Sequence, residues 1–175
     1  MKIAIIGFSG SGKSTLARKL SQFYSIPALH LDACHFKPNW EERTDEDMTS
    51  IVSKFISENS DWVIEGNYIR ICKERFQDAD LVFYLCYNRF ACFKNVLHRY
   101  KKFKNQTRPD MADGCAEKLD KEFISWIFYK GRSKRKKNNY KKIASEAKVG
   151  LVFKSRKKLH KYLKQLGVEN YEAGM

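Results

Sequence analysis

Residues 7–15, GFSGSGKST, lie between the apolar run MKIAII and the segment LARKLSQFY. Ile3, Ala4, Ile5 and Ile6 form a short, continuous and mostly β-branched run, the pattern of a parallel-sheet strand buried on both faces. Beyond Thr15, Leu16, Leu20 and Phe23 recur at i, i+4, i+7 and so share one face of a helix. The glycine-rich stretch therefore joins a strand to a helix. In that context the spacing Gly7-x-x-x-x-Gly12-Lys13-Ser14 matches the phosphate-loop pattern G-x-x-x-x-G-K-[ST] without deviation. Gly7, Gly10 and Gly12 permit backbone conformations closed to residues with a Cβ and let the chain approach an anion closely. Main-chain N–H groups along the run, those of Ser9, Ser11, Lys13, Ser14 and Thr15 included, are expected to converge on nucleotide phosphates, where the helix dipole adds to their attraction. Lys13 brings a mobile positive charge. The Ser14 hydroxyl is the expected ligand of Mg²⁺, an ion that keeps several waters and takes further ligands from the phosphates.

At 175 residues the chain is expected to form one domain, 1–175, with a full core that needs neither disulfide nor metal. The N-terminal apolar stretch is too short for a signal peptide, and no apolar run reaches the roughly 18 residues of a membrane span. The expected location is the cytoplasm, with no membrane partner. The five cysteines, Cys34, Cys72, Cys86, Cys92 and Cys115, contain no C-x-x-C pair and are read as reduced, mostly buried thiols. Further strands are predicted over 26–32, 61–66, 80–87 and 149–154, and helices over 44–58, 89–103, 117–129 and 155–167, with a short helix ending at Phe76. Ser155 is the expected N-cap of the last helix and Gly167 lies past its end, with a frayed tail after it. Strands alternating with helices predict an α/β fold whose five-stranded parallel sheet is covered on both faces.

The formal charge of +14 is unevenly placed. Residues 89–142 hold 17 Lys and Arg against 5 Asp and Glu, whereas residues 1–88 hold 10 against 12. That excess argues for an anionic partner, either nucleotides or a nucleic acid bound through 89–142. For the run GRSKRKKNNYKK at 131–142, a solubilising helix face is an equally good reading.

A guanine-specific switch protein would carry N-K-x-D after a late strand, and that tetrapeptide does not occur. The modest length fits a stand-alone kinase of a small molecule better than a motor, transporter or helicase. Asp32 and Glu65 end the second and third predicted strands, where open α/β sheets hold their ligands. Glu65 would hold a metal-bound water, and Asp32 would face the metal or the acceptor. The competing reading is that each caps the following helix or pairs with a nearby arginine.

Beyond the phosphate loop, HLD at 30–32, FKPNW at 36–40, WVIEGNY at 62–68 with Arg75 after it, ADLVFYL at 79–85, TRPDMADG at 107–114 and EFISWIF at 122–128 span nearly the whole chain. Together they resemble the adenylate-kinase-related family called DNA topology modulation (FlaR-like) proteins. The resemblance implies a nucleoside-monophosphate-kinase-like P-loop fold with a short basic lid at about 99–116 and an acceptor-binding region at about 33–60. It places Glu65 where adenylate kinases have the aspartate of their D-G turn, Arg70 or Arg75 toward the acceptor, and Arg99 and Arg108 around the lid. The turn here is Glu-Gly-Asn-Tyr, and the acceptor-side helix carries no arginine, so His30, His35, Trp40 and Asn67 are expected to shape a pocket for an acceptor other than AMP.

Phosphoryl transfer needs positioning and neutralisation of spreading charge more than covalent help. Lys13, Arg99 and Arg108 are the candidate groups for that task, and Asp32 is the candidate base for a hydroxyl acceptor. Two functions stay open at this level. One is ATP- and Mg-dependent phosphoryl transfer to a nucleotide or other small molecule. The other is a nucleotide-binding regulator that binds DNA and affects its topology.

Overall fold

The computed structural model of the protein describes residues 1–168. Strands β1 (Lys2–Gly7), β2 (Ala28–His30), β3 (Trp62–Glu65), β4 (Leu81–Leu85) and β5 (Gly150–Phe153) form one parallel sheet in the order β2-β3-β1-β4-β5. The most apolar strand is central, with Ile3 opposite Val63 on one side and Leu81 on the other, and Ile5 between Glu65 and Phe83. Ile3, Ala4, Ile5 and Ile6 are fully buried, each isoleucine stabilising the fold by about 1.5–3 kcal/mol relative to an exposed position.

The helices are α1 (Lys13–Tyr24), α2 (Leu31–His35), α3 (Asp45–Glu58), α4 (Glu74–Asp78), α5 (Arg89–Phe103), α6 (Lys121–Phe128), α7 (Lys134–Glu146) and α8 (Arg156–Gln165). Thr44, Asn88, Asp120, Ser133 and Ser155 accept first-turn N–H groups of α3, α5, α6, α7 and α8 through their side chains. A cap of this kind contributes about 1 kcal/mol. Helix α1 differs. It starts from Gly12 at φ 91°, with no side-chain cap and no acidic residue in its first turn, so its leading N–H groups are left for an anion.

The structure departs from the sequence expectations in four places. Strand β2 ends at His30, and Asp32 sits in α2 instead of at a strand tip. Leu31 turns fully inward against Gly66, where an added Cβ would lie 2.6 Å from the Leu31 Cβ, and this contact takes the chain out of the sheet. Helix α6 begins at Lys121, because Asp120 caps it through the Phe123 N–H, which leaves Glu117 outside. The lysine-rich stretch after 131, read as a solubilising helix face or an anion-binding segment but given no place among the predicted helices, forms α7, capped by Ser133 and anchored by Tyr140 and Ala144, buried one turn apart. Val168, assigned to the tail, is buried against the core, while the remaining tail residues 169–175 lie outside the described residues. No helix among the described residues is long and apolar enough to cross a membrane.

Candidate functional site

The glycine loop, α2, the segment after β3, α5, α6 and the loop between α5 and α6 enclose a cavity of about 1920 Å³. The loop is held at three points by side chains distant in sequence. Asn67 clamps its start: the Gly7 N–H donates to Asn67 Oδ1 at 3.0 Å, and Asn67 Nδ2 donates to the Gly7 carbonyl at 2.7 Å. Asn95 on α5 donates to the Gly10 carbonyl at 2.8 Å, and the Trp126 indole on α6 donates to Ser9 Oγ at 3.2 Å. Gly7, at φ 152°, packs so closely on the end of β4 that a Cβ there would lie 2.6 Å from the Leu85 carbonyl oxygen. Ser9, Gly10, Ser11, Gly12, Lys13, Ser14 and Thr15 all line the cavity.

Beneath the start of α1, Ser14 Oγ donates to Glu65 Oε1 at 2.9 Å, and His30 Nδ1 lies 3.1 Å from the same oxygen. Glu65 is 1 % exposed, and its second oxygen, Oε2, is buried with no hydrogen-bond partner. An orphaned carboxylate oxygen beside a serine hydroxyl is a hard, anionic oxygen pair, and it fits Mg²⁺.

On the side of β2 and α3, Asp32 lines the cavity and its Oδ1 accepts from the Tyr68 hydroxyl at 3.0 Å. Burial and the Asp32 carboxylate push the Tyr68 phenol far above its ordinary pKa, so it stays a donor. Trp40 also lines the cavity, with its ring 5.1 Å from Phe36 and the Lys118 ammonium 4.9 Å from its centre. The two arginines expected at the acceptor behave differently. Arg70 lines the cavity, exposed, with Nη2 3.5 Å from Asp45. Arg75 is not among the cavity-lining residues: it is buried, and its guanidinium donates to the carbonyls of Tyr68, Ile71 and Gly66. Arg75, one of the two arginines expected at the acceptor, is thus a brace for the turn after β3.

Arg99 and Arg108 face the cavity joined through one carboxylate. Glu117, with its side chain 3 % exposed, accepts from Arg99 Nη2 at 2.7 Å on Oε1 and from Arg108 Nε at 2.7 Å on Oε2. Asp110 links Arg108, at 3.2 Å, to Arg18 of α1, at 2.9 Å. Burial raises the Asp110 pKa, but the charge of Arg108, the neighbouring Ser14 hydroxyl and the charge of Arg18 together outweigh it and hold the carboxyl below its ordinary value. A carboxylate with a depressed folded-state pKa contributes stability that is fully present above the unfolded value, about 3.9, and lost as pH falls through the folded one. Asp110→Asn is therefore expected to lower Tm at neutral pH by roughly 4–8 °C, for a loss of about 2 kcal/mol of charged hydrogen bonding. The gap to the parent should close below pH about 4. A Tm gap that is constant from pH 7 to pH 3 would show that the charge of Asp110 is not the source.

Tyr68, Asn95, Asp110, Glu117, Trp126 and Arg18 went unassigned from sequence. Asp110 lay inside TRPDMADG, where arginine and aspartate two residues apart were a usable signal. Glu117 was hidden because its spacing read as the first turn of a helix. Among the basic residues of 89–142, Arg99, Lys102, Arg108, Lys118, Arg135 and Lys136 line the cavity, so part of that charge faces inward.

No family model and no curated protein matches the chain. Solved structures do match its fold. Shikimate kinase from Acinetobacter baumannii, in complex with shikimate, superimposes with a TM-score of 0.57 at 13% identity over 98% of this chain and 95% of that one. Deoxyadenosine kinase from M. mycoides, with dCMP and a flexible dCDP bound, gives a TM-score of 0.51 at 15% identity over 95% and 98%. Shikimate kinase from Bacteroides thetaiotaomicron gives 0.51 at 15% identity over 95% and 96%. At these identities the similarity is one of fold, that of P-loop small-molecule kinases.

Proposed function

We propose that this protein transfers the terminal phosphoryl group of ATP, with Mg²⁺, to a small-molecule acceptor, a nucleotide or another metabolite. The observation that carries the reading is the uncapped glycine loop opening, beside Ser14 and the orphaned Glu65 oxygen, onto one large cavity. Its volume of about 1920 Å³ exceeds the roughly 300–1,000 Å³ of a single small-ligand site, leaving room for donor and acceptor together. The fold neighbours, kinases of shikimate and of deoxyadenosine, support phosphoryl transfer as the reaction class. The resemblance of the sequence to the FlaR-like family points the same way, since it implies a kinase fold with a short basic lid. A DNA-binding role rests on the charge of 89–142 and on the name of the family that the sequence resembles, and the basic groups that line the cavity favour nucleotide phosphates as their partner.

In this reading the N–H groups of the loop and the Lys13 ammonium hold the phosphates, while Ser14 and Glu65 hold Mg²⁺. The ion, when bound, supplies neutralising charge on the phosphate oxygens. Arg99 and Arg108 are kept at the cavity wall by Glu117, ready to meet the charge that develops on the transferred group. Asp32 faces the acceptor. Closure of 99–116 over the reactants would exclude water.

The test is release of ADP from Mg·ATP, followed with and without acceptors. Glu65→Gln is expected to raise the Mg²⁺ concentration for half-maximal rate by about 10- to 100-fold whatever the acceptor, as loss of a group supporting a metal does. Asp32→Asn should instead give losses that differ between acceptors. Full activity in both variants removes both carboxylates from the site.

A further inference from the structure

Resting on the phosphoryl-transfer reading, we propose that the acceptor is an alcohol without phosphate or carboxylate, neutral or amine-bearing, that offers its hydroxyl to Asp32. On the acceptor side most of the positive charge already has partners. Arg43 donates Nη1 to the carbonyls of Cys34, at 2.7 Å, and Phe36, at 2.9 Å. Arg75 is buried on carbonyl oxygens. Arg70 lies against Asp45, and His35 Nε2 is 3.6 Å from Glu42. Lys118 is held over the Trp40 ring, 4.0 Å from Asp120. Asp32, Glu42 and Asp45 all line this half, and among the described residues the side chain of Asp32 is engaged by the Tyr68 hydroxyl alone.

A phosphate or carboxylate on the acceptor would be brought beside these carboxylates, where the one cavity-lining guanidinium, that of exposed Arg70, already has Asp45 as a neighbour, and like charges a few ångströms apart repel. Of the other arginines that line the cavity, Arg18, Arg99 and Arg108 gather around Asp110 and Glu117, which is where a transferred phosphoryl group needs them, and Arg135 and Arg156 stand on α7 and α8. What this half does present is a row of rings. His35 lies 4.8 Å from Tyr68 and 4.7 Å from Phe36, and Phe36 lies 5.1 Å from Trp40. Asn39 and Trp40 take φ of 63° and 66°, a costly conformation for a bulky residue, and the result is a tryptophan on the cavity wall. Rings flanked by carboxylates receive a planar or apolar body and favour a positive charge over a negative one.

In the transfer, Asp32 takes the proton of the acceptor hydroxyl, whose oxygen bonds to the γ-phosphorus. The bond from that phosphorus to the β–γ bridging oxygen breaks, and its electron pair leaves with ADP. Tyr68, donating to Oδ1, orients the carboxylate for this role.

The experiment measures ADP release from Mg·ATP by the full chain with two acceptor panels, alongside the thermal stabilisation that Mg·ATP alone confers. The first panel holds nucleosides, amino alcohols and amino sugars; the second holds nucleoside monophosphates and hydroxy acids. A member of the first panel is expected to raise the rate at least about tenfold over ATP hydrolysis, with Asp32→Asn lowering kcat on it about 100-fold at little cost in KM. The Glu42→Gln, Asp45→Asn double variant should raise KM for an amine-bearing acceptor roughly fivefold. Stimulation by the second panel alone overturns the acceptor class and leaves the kinase reading standing. No stimulation by either panel overturns the class as well, and absence of Mg·ATP stabilisation then overturns the kinase reading with it.

Discussion

Lys13→Ala is expected to fold like the parent and to lose nearly all of the thermal stabilisation that Mg·ATP confers. Lys13 is the first residue of α1, half-buried at the cavity wall, and its side chain makes no hydrogen bond or salt bridge among the described residues. Removing it therefore breaks nothing in the folded chain. With ATP the case is different, because a charge-assisted bond to phosphate is worth up to about 3 kcal/mol, or roughly 100-fold in affinity. At an ATP concentration about 100 times the parent Kd, ligand stabilisation should fall from about 2.7 to about 0.4 kcal/mol. Differential scanning fluorimetry reads this directly. Equal Tm shifts in parent and variant would mean that the loop holds no triphosphate.

Glu117→Ala should be the most destabilising single change in the α5–α6 region, and Mg·ATP should partly repair it. The carboxylate is almost fully buried and serves two guanidinium groups, so its loss leaves Arg99 without its carboxylate partner and Arg108 with Asp110 alone. Burial and the neighbouring Arg108 already pull the Arg99 pKa down, with Glu117 opposing them. Breaking a buried pair of this kind costs about 3–5 kcal/mol, which for a chain of this size lowers Tm by roughly 10 °C. If the two arginines are aimed at the transferred phosphate, that anion replaces Glu117, and the Tm gain on adding Mg·ATP must be larger in the variant than in the parent. An equal or smaller gain would assign the Arg99–Glu117–Arg108 bridge to structure alone.

Much of this molecule was legible in one dimension, and the reason is locality. The buried run before Gly7, the glycine spacing and the one-sided helix after it are all set within about 20 residues by periodicity and backbone sterics. The cap residues Thr44 and Ser155 are local signals too, and their helices begin where such signals place them. Where the sequence misled, burial of a few side chains or a better cap had overruled the expected pattern. Ser133 with Tyr140 and Ala144 made a helix of a lysine-rich stretch, because two buried side chains one turn apart outweigh its low overall hydrophobicity. Asp120 displaced Glu117 from the helix it seemed to start, freeing that carboxylate for two arginines.

The phosphate loop, the strand that carries it and the order of strands and helices were determined by the sequence itself, since each follows from residues close together along the chain. The fate of individual charges was decided only in three dimensions. Arg75 and Arg70 look alike in sequence, yet one is buried on carbonyl oxygens and the other stands in the cavity beside Asp45. Asn67, read as a substrate ligand, spends both ends of its amide on Gly7, 60 residues away. A side chain's charge and hydrogen-bonding capacity are intrinsic, but which partner satisfies them depends on what the fold brings within about 3 Å. That proximity, between residues as far apart as Arg18 and Asp110, is created by packing and carries no local signature.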